Sequence, residues 1–228
     1  MTWKQAQQDK RFLNLSEGNR KLIPNESIRF LIWNLPSRIT CPFATKHCFH
    51  FCYAVKAENA YPNCKTSRLR NLERSKESDF VESMIFTIEA HLDRPSFKTA
   101  KKVIVRIHES GEFYNQAYAD KWLKIAEHFK HNKRVVFMAY TKSIVFFSNN
   151  IYSDKRKYIP PNMVIRFSVW DDTKADYIRL AERWDFPIYT AVDKFSKGIP
   201  SQNRCLCRDC AKCGKCWGKT KKIVCEIH

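Results

Sequence analysis

Glycine is scarce in this chain. There are five in 228 residues and no glycine-rich loop, which argues against a P-loop or a dinucleotide-binding fingerprint. No apolar run approaches the ~18 residues of a membrane-spanning helix, so no membrane partner is expected. The first residues, Met-Thr-Trp-Lys-Gln-Ala-Gln-Gln-Asp-Lys-Arg, lack the apolar core of a secretory signal. Internal repeats and low-complexity stretches are absent. Acidic residues are also few: 23 Asp and Glu stand against 41 Lys and Arg, for a net charge of +18. A field that positive points to nucleic acid as the partner. No basic amphipathic helix stands out to suggest a membrane surface instead. The sum predicts a cytoplasmic protein with reduced thiols.

Cysteine, by contrast, is abundant and clustered. Cys41, Cys48 and Cys52 share one loop, and Cys205, Cys207, Cys210, Cys213 and Cys216 crowd into twelve residues near the C-terminus. Clustered cysteines in a reducing compartment are metal ligands more often than disulfides, and thiolates suit zinc and iron–sulfur clusters.

Along the chain, residues 1–26 are polar and read as an arm or a capping segment. Residues 27–198 alternate strand-like and helix-like segments. The strands are read at 27–35, 102–108, 134–140, 163–170 and 186–192, with a sixth at 222–228. Helices are read at 66–92, at 116–131, and from a cap at Asp172 or Thr173 to Trp184. Residues 143–158 are ambiguous. Residues 199–228 form a cysteine-rich metal-binding segment that holds the possible last strand. Alternating strands and helices imply an α/β fold with a parallel sheet. Five or six such units suit a partial (β/α) barrel, with a doubly wound sheet as the alternative. In either, chemistry gathers beyond the C-terminal ends of the strands. There the sequence places the first cysteines, then His108 to Glu112, then Tyr140 to Ser143, then Trp170 to Asp172, then Asp193 and Lys194.

Three thiolates in one loop can hold three irons of a 4Fe–4S cube and leave the fourth open. A zinc site completed by His47, His50 or Cys64 is the rival reading. The run Cys207, Cys210, Cys213 and Cys216 has regular C-x2-C spacing, which suits a second iron–sulfur cluster or zinc and leaves Cys205 as the spare. Cys64 and Cys225 read as small packing residues. His108, Tyr140 and Lys142 are candidate catalytic groups, although a core histidine and a strand-end tyrosine are ordinary structural residues too.

The first loop resembles the cluster loop of radical S-adenosylmethionine (SAM) enzymes, and the chain resembles especially the phage gene-product-eighty-eight family. The resemblance rests on Cys41-Pro42, Ala44-Thr45, Cys48 and Cys52-Tyr53-Ala54, then Arg106-Ile107-His108. It continues through Ser110-Gly111-Glu112-Phe113-Tyr114, Trp122, Tyr140-Thr141-Lys142-Ser143, and the terminal cysteines with His228. It covers most of residues 30–228 in order. The usual motif is C-x3-C-x2-C, from which C-x6-C-x3-C departs by three residues and by one; Phe51 holds the aromatic place before the last cysteine.

The resemblance implies a radical SAM-type partial barrel with a 4Fe–4S cluster after strand one. It also implies reductive cleavage of SAM and an electron donor such as a flavodoxin or ferredoxin. Ser110-Gly111-Glu112 resembles the motif that holds the SAM amino group, with Glu112 as its acceptor. The expected enzyme abstracts hydrogen from a nucleic acid or nucleotide. A zinc-stabilised nucleic-acid-binding protein, or a two-cluster electron-transfer protein, is the alternative. The basic residues at 65–76, and Lys212, Lys215, Lys219, Lys221 and Lys222 beside Trp217, are expected to meet phosphates and stack on bases.

Overall fold

The computed structural model describes residues 1–148, 157–192, 204–205 and 209–226. Six strands, β1 Ile28–Trp33, β2 Lys102–Ile107, β3 Val135–Thr141, β4 Met163–Val169, β5 Ile188–Val192 and β6 Lys222–Glu226, form one sheet in the order β1-β2-β3-β4-β5-β6. Every neighbouring pair is parallel. Because the order never reverses, right-handed crossovers put the helices between β1 and β5 on one face, while the described part of the β5–β6 connection packs on the other. A doubly wound sheet needs such a reversal, so that alternative is excluded. The sequence places all six strands, with ends that shift by a residue or two.

β1 and β6 do not pair with each other among the described residues, so the sheet is not shown to close into a barrel. Both outer edges are occupied by the chain itself. Ser16 pairs antiparallel with Ile32 on β1, and Arg204 pairs with Val224 on β6. Each segment satisfies backbone groups that an open edge leaves bare.

Side chains of one parity on the strands face the helices. Trp33, Val105, Phe137 and Phe167 pack there against Phe80, Met84 and Ile88 of α5 (Phe80–Leu92), against Tyr118 and Trp122 of α7 (Gln116–His128), and against Leu180 of α8 (Ala175–Arg183). The other parity packs Phe30, Ile32, Ile104 and Met138 against Leu22 from the N-terminal segment and against Ala211, Cys216 and Trp217 from the C-terminal one. The chain's own ends thus cover the second face. α1 (Trp3–Gln8) also docks, with a capping box at Thr2 and Gln5 and Trp3 edge-on to His91.

Three local expectations change. The single helix read over 66–92 is two, α4 (Pro62–Lys76) and α5. Lys121 donates to the carbonyls of Ser75, Lys76 and Glu77, which satisfies the end of α4 and fixes the break. α8 is not capped by Asp172 or Thr173, since its N-cap is Lys174 with no side-chain bond. Thr173 instead accepts from the Trp170 amide and Asp172 from the His47 amide. The ambiguous stretch holds one 3-10 turn at Ile144–Phe147; residues 149–156 lie outside the described residues.

Candidate metal centre

The loop that carries Cys41, Cys48 and Cys52 leaves the C-terminal end of β1 and is held at its base. Ser37 donates from both its amide and its hydroxyl to Glu58 of α3 (Tyr53–Ala60), at 2.8 and 2.7 Å. Arg68 of α4 closes the clamp with a 2.9 Å bond to Glu58 and another to the Ala54 carbonyl. Both partners of this ion pair are buried. Arg68, read as part of a basic patch, is therefore a structural residue. Asn34 Oδ1 accepts from the Glu109 and Ser110 amides, which ties the exit of β2 to that of β1. Within the loop a short helix, α2 (Lys46–His50), is capped by Thr45, whose hydroxyl accepts from the Cys48 amide.

Gly111 lies where these two exits meet. Its φ of +80° is open to glycine, and a Cβ there would stand 2.6 Å from both the Leu35 Cβ and the Thr40 hydroxyl. That close approach brings Glu112 across to β3, where its carboxylate accepts from the Thr141 hydroxyl at 2.6 Å and from the amides of Lys142 and Ser143. Burial pushes its carboxyl upward, opposed by those hydrogen bonds and by Lys142. Lys142 hydrogen-bonds Cys48, donates to Ser168 at 3.2 Å and lies 5.2 Å over the Trp170 ring. Phe51 stacks on Trp170 at 6.5 Å.

The three thiols are neighbours. Burial raises Cys41 to about 12, with Glu112, Cys48 and Cys52 adding to the shift. Cys48 is raised by burial too, with Lys142 pulling the other way. Such thiols stay protonated without a metal and release protons to one. Beside the loop, a cleft of about 570 Å³ is lined by Phe43, Thr45, Lys46, Lys142, Phe167 and Tyr177, among others. That volume is ordinary for a small-molecule site.

Other predicted residues lie elsewhere. His108 is a core residue, 3% exposed. Its Nε2 pairs with the Tyr118 hydroxyl at 2.9 Å, its φ is +67°, and burial holds its pKa at about 3. It does not reach the cysteine loop. Tyr140 points to the opposite face of the sheet, 4.6 Å from the Tyr189 ring and beneath the Arg106 guanidinium at 5.1 Å, and it hydrogen-bonds Cys216. Lys142 shares the strand parity of Tyr140, but it lies one residue past β3 and turns to Cys48 and Ser168 instead.

A second thiol group occupies that opposite face. Cys210 neighbours Cys216, Cys205 and Cys213. Cys205 and Tyr189 hydrogen-bond Cys225 and hold its thiol below the usual range. Cys225 is buried, as a packing residue is, and also meets Cys205, and Cys205 lies beside Cys210 and Cys216. Cys64 is half-buried on α4. Cys207, Asp193, Lys194 and His228 lie outside the described residues. Trp217 turns inward onto Phe30, so it is not a free stacking platform. Lys212 pairs with Asp209, and Lys221 with Asp185.

Sequence reading singled out Phe51 but not the exposed aromatic rim of which it is part. Phe49, Phe51, Tyr53 and Tyr61 are each more than a third exposed, and Arg38 covers Phe49 at 5.3 Å. The signal was present in Phe49, Phe51 and Tyr53 interleaved with cysteines, where the metal pattern dominated. Among the described residues, one set of three His, Cys, Asp or Glu ligand atoms lies within 4.8 Å of one another. It is the exposed group His47, Asp171 and Asp172.

No helix among the described residues is long and apolar enough to cross a membrane. No curated protein and no solved structure matches the chain. The family model described as Gene product 88 matches residues 13–219, nearly the whole length, and the chain belongs to the Gene product 88 family.

Proposed function

We propose that the chain is an iron–sulfur enzyme of radical SAM type that acts on a nucleic acid or nucleotide. One observation carries the reading: three neighbouring thiols leave β1 of a sequentially ordered parallel sheet, and Glu112 and Lys142 converge on them from the next two strand exits. The donor set fits a cluster, because three thiols from one loop leave one metal corner for a cosubstrate. With a 4Fe–4S cluster and SAM bound, the cofactors would supply reductive cleavage of SAM to a 5′-deoxyadenosyl radical that abstracts a substrate hydrogen. The chain's residues do the rest. Cys41, Cys48 and Cys52 would hold the cluster. Lys142, beside Cys48, offsets thiolate charge. Glu112 fixes the β3 exit and so positions Lys142, a positioning role rather than the direct SAM contact that the resemblance implies.

Nucleic acid is supported by the +18 charge and by the exposed aromatic rim with Arg38 and Lys46 beside it, the combination that single strands use for stacking and phosphate contact. An electron donor of flavodoxin or ferredoxin class belongs to the same proposal.

Anaerobic reconstitution tests it. The loaded protein should absorb broadly near about 400 nm and release 5′-deoxyadenosine from SAM under reduction. Cys48→Ala should abolish both the SAM cleavage and the iron of this site, while Cys64→Ala leaves them intact. A reconstituted protein that holds iron at this loop and never cleaves SAM defeats the reading.

A further inference from the structure

From the face opposite the helices, we infer that Cys205, Cys210, Cys216 and Cys225 form a second, four-thiolate metal centre that ties the C-terminal segment and β6 to the sheet. This set replaces Cys207 and Cys213 of the regular C-x2-C run. It arises because four separate pieces of chain meet there. Cys205 follows the residue that pairs with β6, and its amide donates to the Val224 carbonyl. Cys225 projects from β6 itself, beside Ala191 of β5. Cys210 opens the short helix α9 (Cys210–Cys213), and its amide donates to the Lys21 carbonyl. Cys216 is buried in the loop that follows. Cys205, Cys210 and Cys216 share one packing cluster with Tyr140 and Tyr189, and Cys225 joins it through its hydrogen bonds with Cys205 and Tyr189.

The surrounding charge gives an independent argument. Arg166 on β4 is fully buried. Its guanidinium donates to the Cys216, Thr220 and Lys215 carbonyls at 2.6, 2.7 and 2.8 Å, and to that of Gly218 at 3.3 Å. All four acceptors are neutral. Arg106 faces the same space from β2, over Tyr140. A buried cation surrounded by neutral groups is costly, and a four-thiolate centre carries the net negative charge that balances two guanidinium groups. Thiolates select zinc or iron–sulfur centres. No three of these sulfurs lie within 4.8 Å of one another, whereas bonds of about 2.3 Å hold the sulfurs of a single tetrahedral zinc closer than that.

The experiment uses the full chain carrying Cys41→Ala, Cys48→Ala and Cys52→Ala, so that failure of the first site and of this one are distinguishable. Iron, zinc and sulfide are counted per chain after anaerobic purification. Metal retained in this background, and lost when Cys205→Ser or Cys225→Ser is added, supports the centre. Iron with sulfide is the result expected from the spacing of the sulfurs, and zinc without sulfide overturns that expectation. Metal that survives Cys225→Ser, or a background with none, overturns it. Should the Cys225 variant fail to fold, Cys207→Ser with Cys213→Ser decides. Retained metal fits the centre inferred from the structure, and lost metal restores the regular run.

Discussion

On the helix-covered face of the sheet, Trp33, Phe80, Tyr118, Trp122 and Phe137 interlock in an almost entirely apolar layer. On the other face, the same strands present Arg106, Tyr140, Arg166, Tyr189 and Cys225 to two segments from the ends of the chain. The difference follows from what covers each side. Amphipathic helices bring apolar stripes, so burial of carbon holds that face together. The N- and C-terminal segments bring few large apolar residues, and polar anchors hold them instead. Arg166 alone organises the carbonyls of residues 215–220. One face is therefore concerned with folding, and the other with holding a cysteine-rich segment in place.

The comparison breaks most visibly at Trp122. Trp122→Ala should cost about 3–5 kcal/mol, as large truncations in packed cores do, and denaturant unfolding should show the loss in one global transition. Arg166→Met should cost somewhat less, about 3 kcal/mol, because several carbonyls lose a charged donor at once. Its loss should also be local. Hydrogen exchange should rise at residues 210–220 while α5 and α7 keep their protection. A uniform rise across both faces would show that the two are one cooperative layer.

Much of the fold was legible because the strand cores are continuous apolar runs and the helices carry a 3.6-residue stripe. Thus Phe80, Met84 and Ile88, and separately Tyr118, Trp122 and Ile125, were read on the correct faces. The break at Glu77 was not legible, since it depends on Lys121 reaching from α7. At the candidate site, Cys41, Cys48, Cys52, Glu112 and Lys142 were legible as strand-exit residues. His108 and Tyr140 look equally placed in sequence, but His108 has a positive φ and packs in the core on Tyr118, and Tyr140 packs on Tyr189 and Cys216 rather than on the first loop. The meeting of Cys205 with Cys225 at the C-terminus was not legible either. Spacing favours Cys207 and Cys213, and the pairing of Arg204 with Val224 that brings in Cys205 is a long-range contact.

Acid should sharpen the contrast between the faces by the smallest margin. His108 and His91 both sit in the helix-covered layer, His91 between Trp3, Phe12 and Phe97. Burial lowers both, His108 to about 3 with Arg106 adding to the effect, and His91 despite the opposing Thr87 carbonyl and Glu17. His108 stays neutral when folded, and both titrate near about 6.5 when unfolded. Below that value the unfolded chain binds more protons. Their contribution is therefore complete above about pH 6.5 and falls as pH drops toward the folded values, for His108 at up to about 1.4 kcal/mol per pH unit. Urea midpoints measured from pH 7 down to pH 5 should decline, and His108→Gln should make the decline shallower. Exchange at residues 210–220 should stay tied to Arg166, which does not titrate in this range. A slope unchanged by His108→Gln would mean that the acid sensitivity lies outside the helix-covered face.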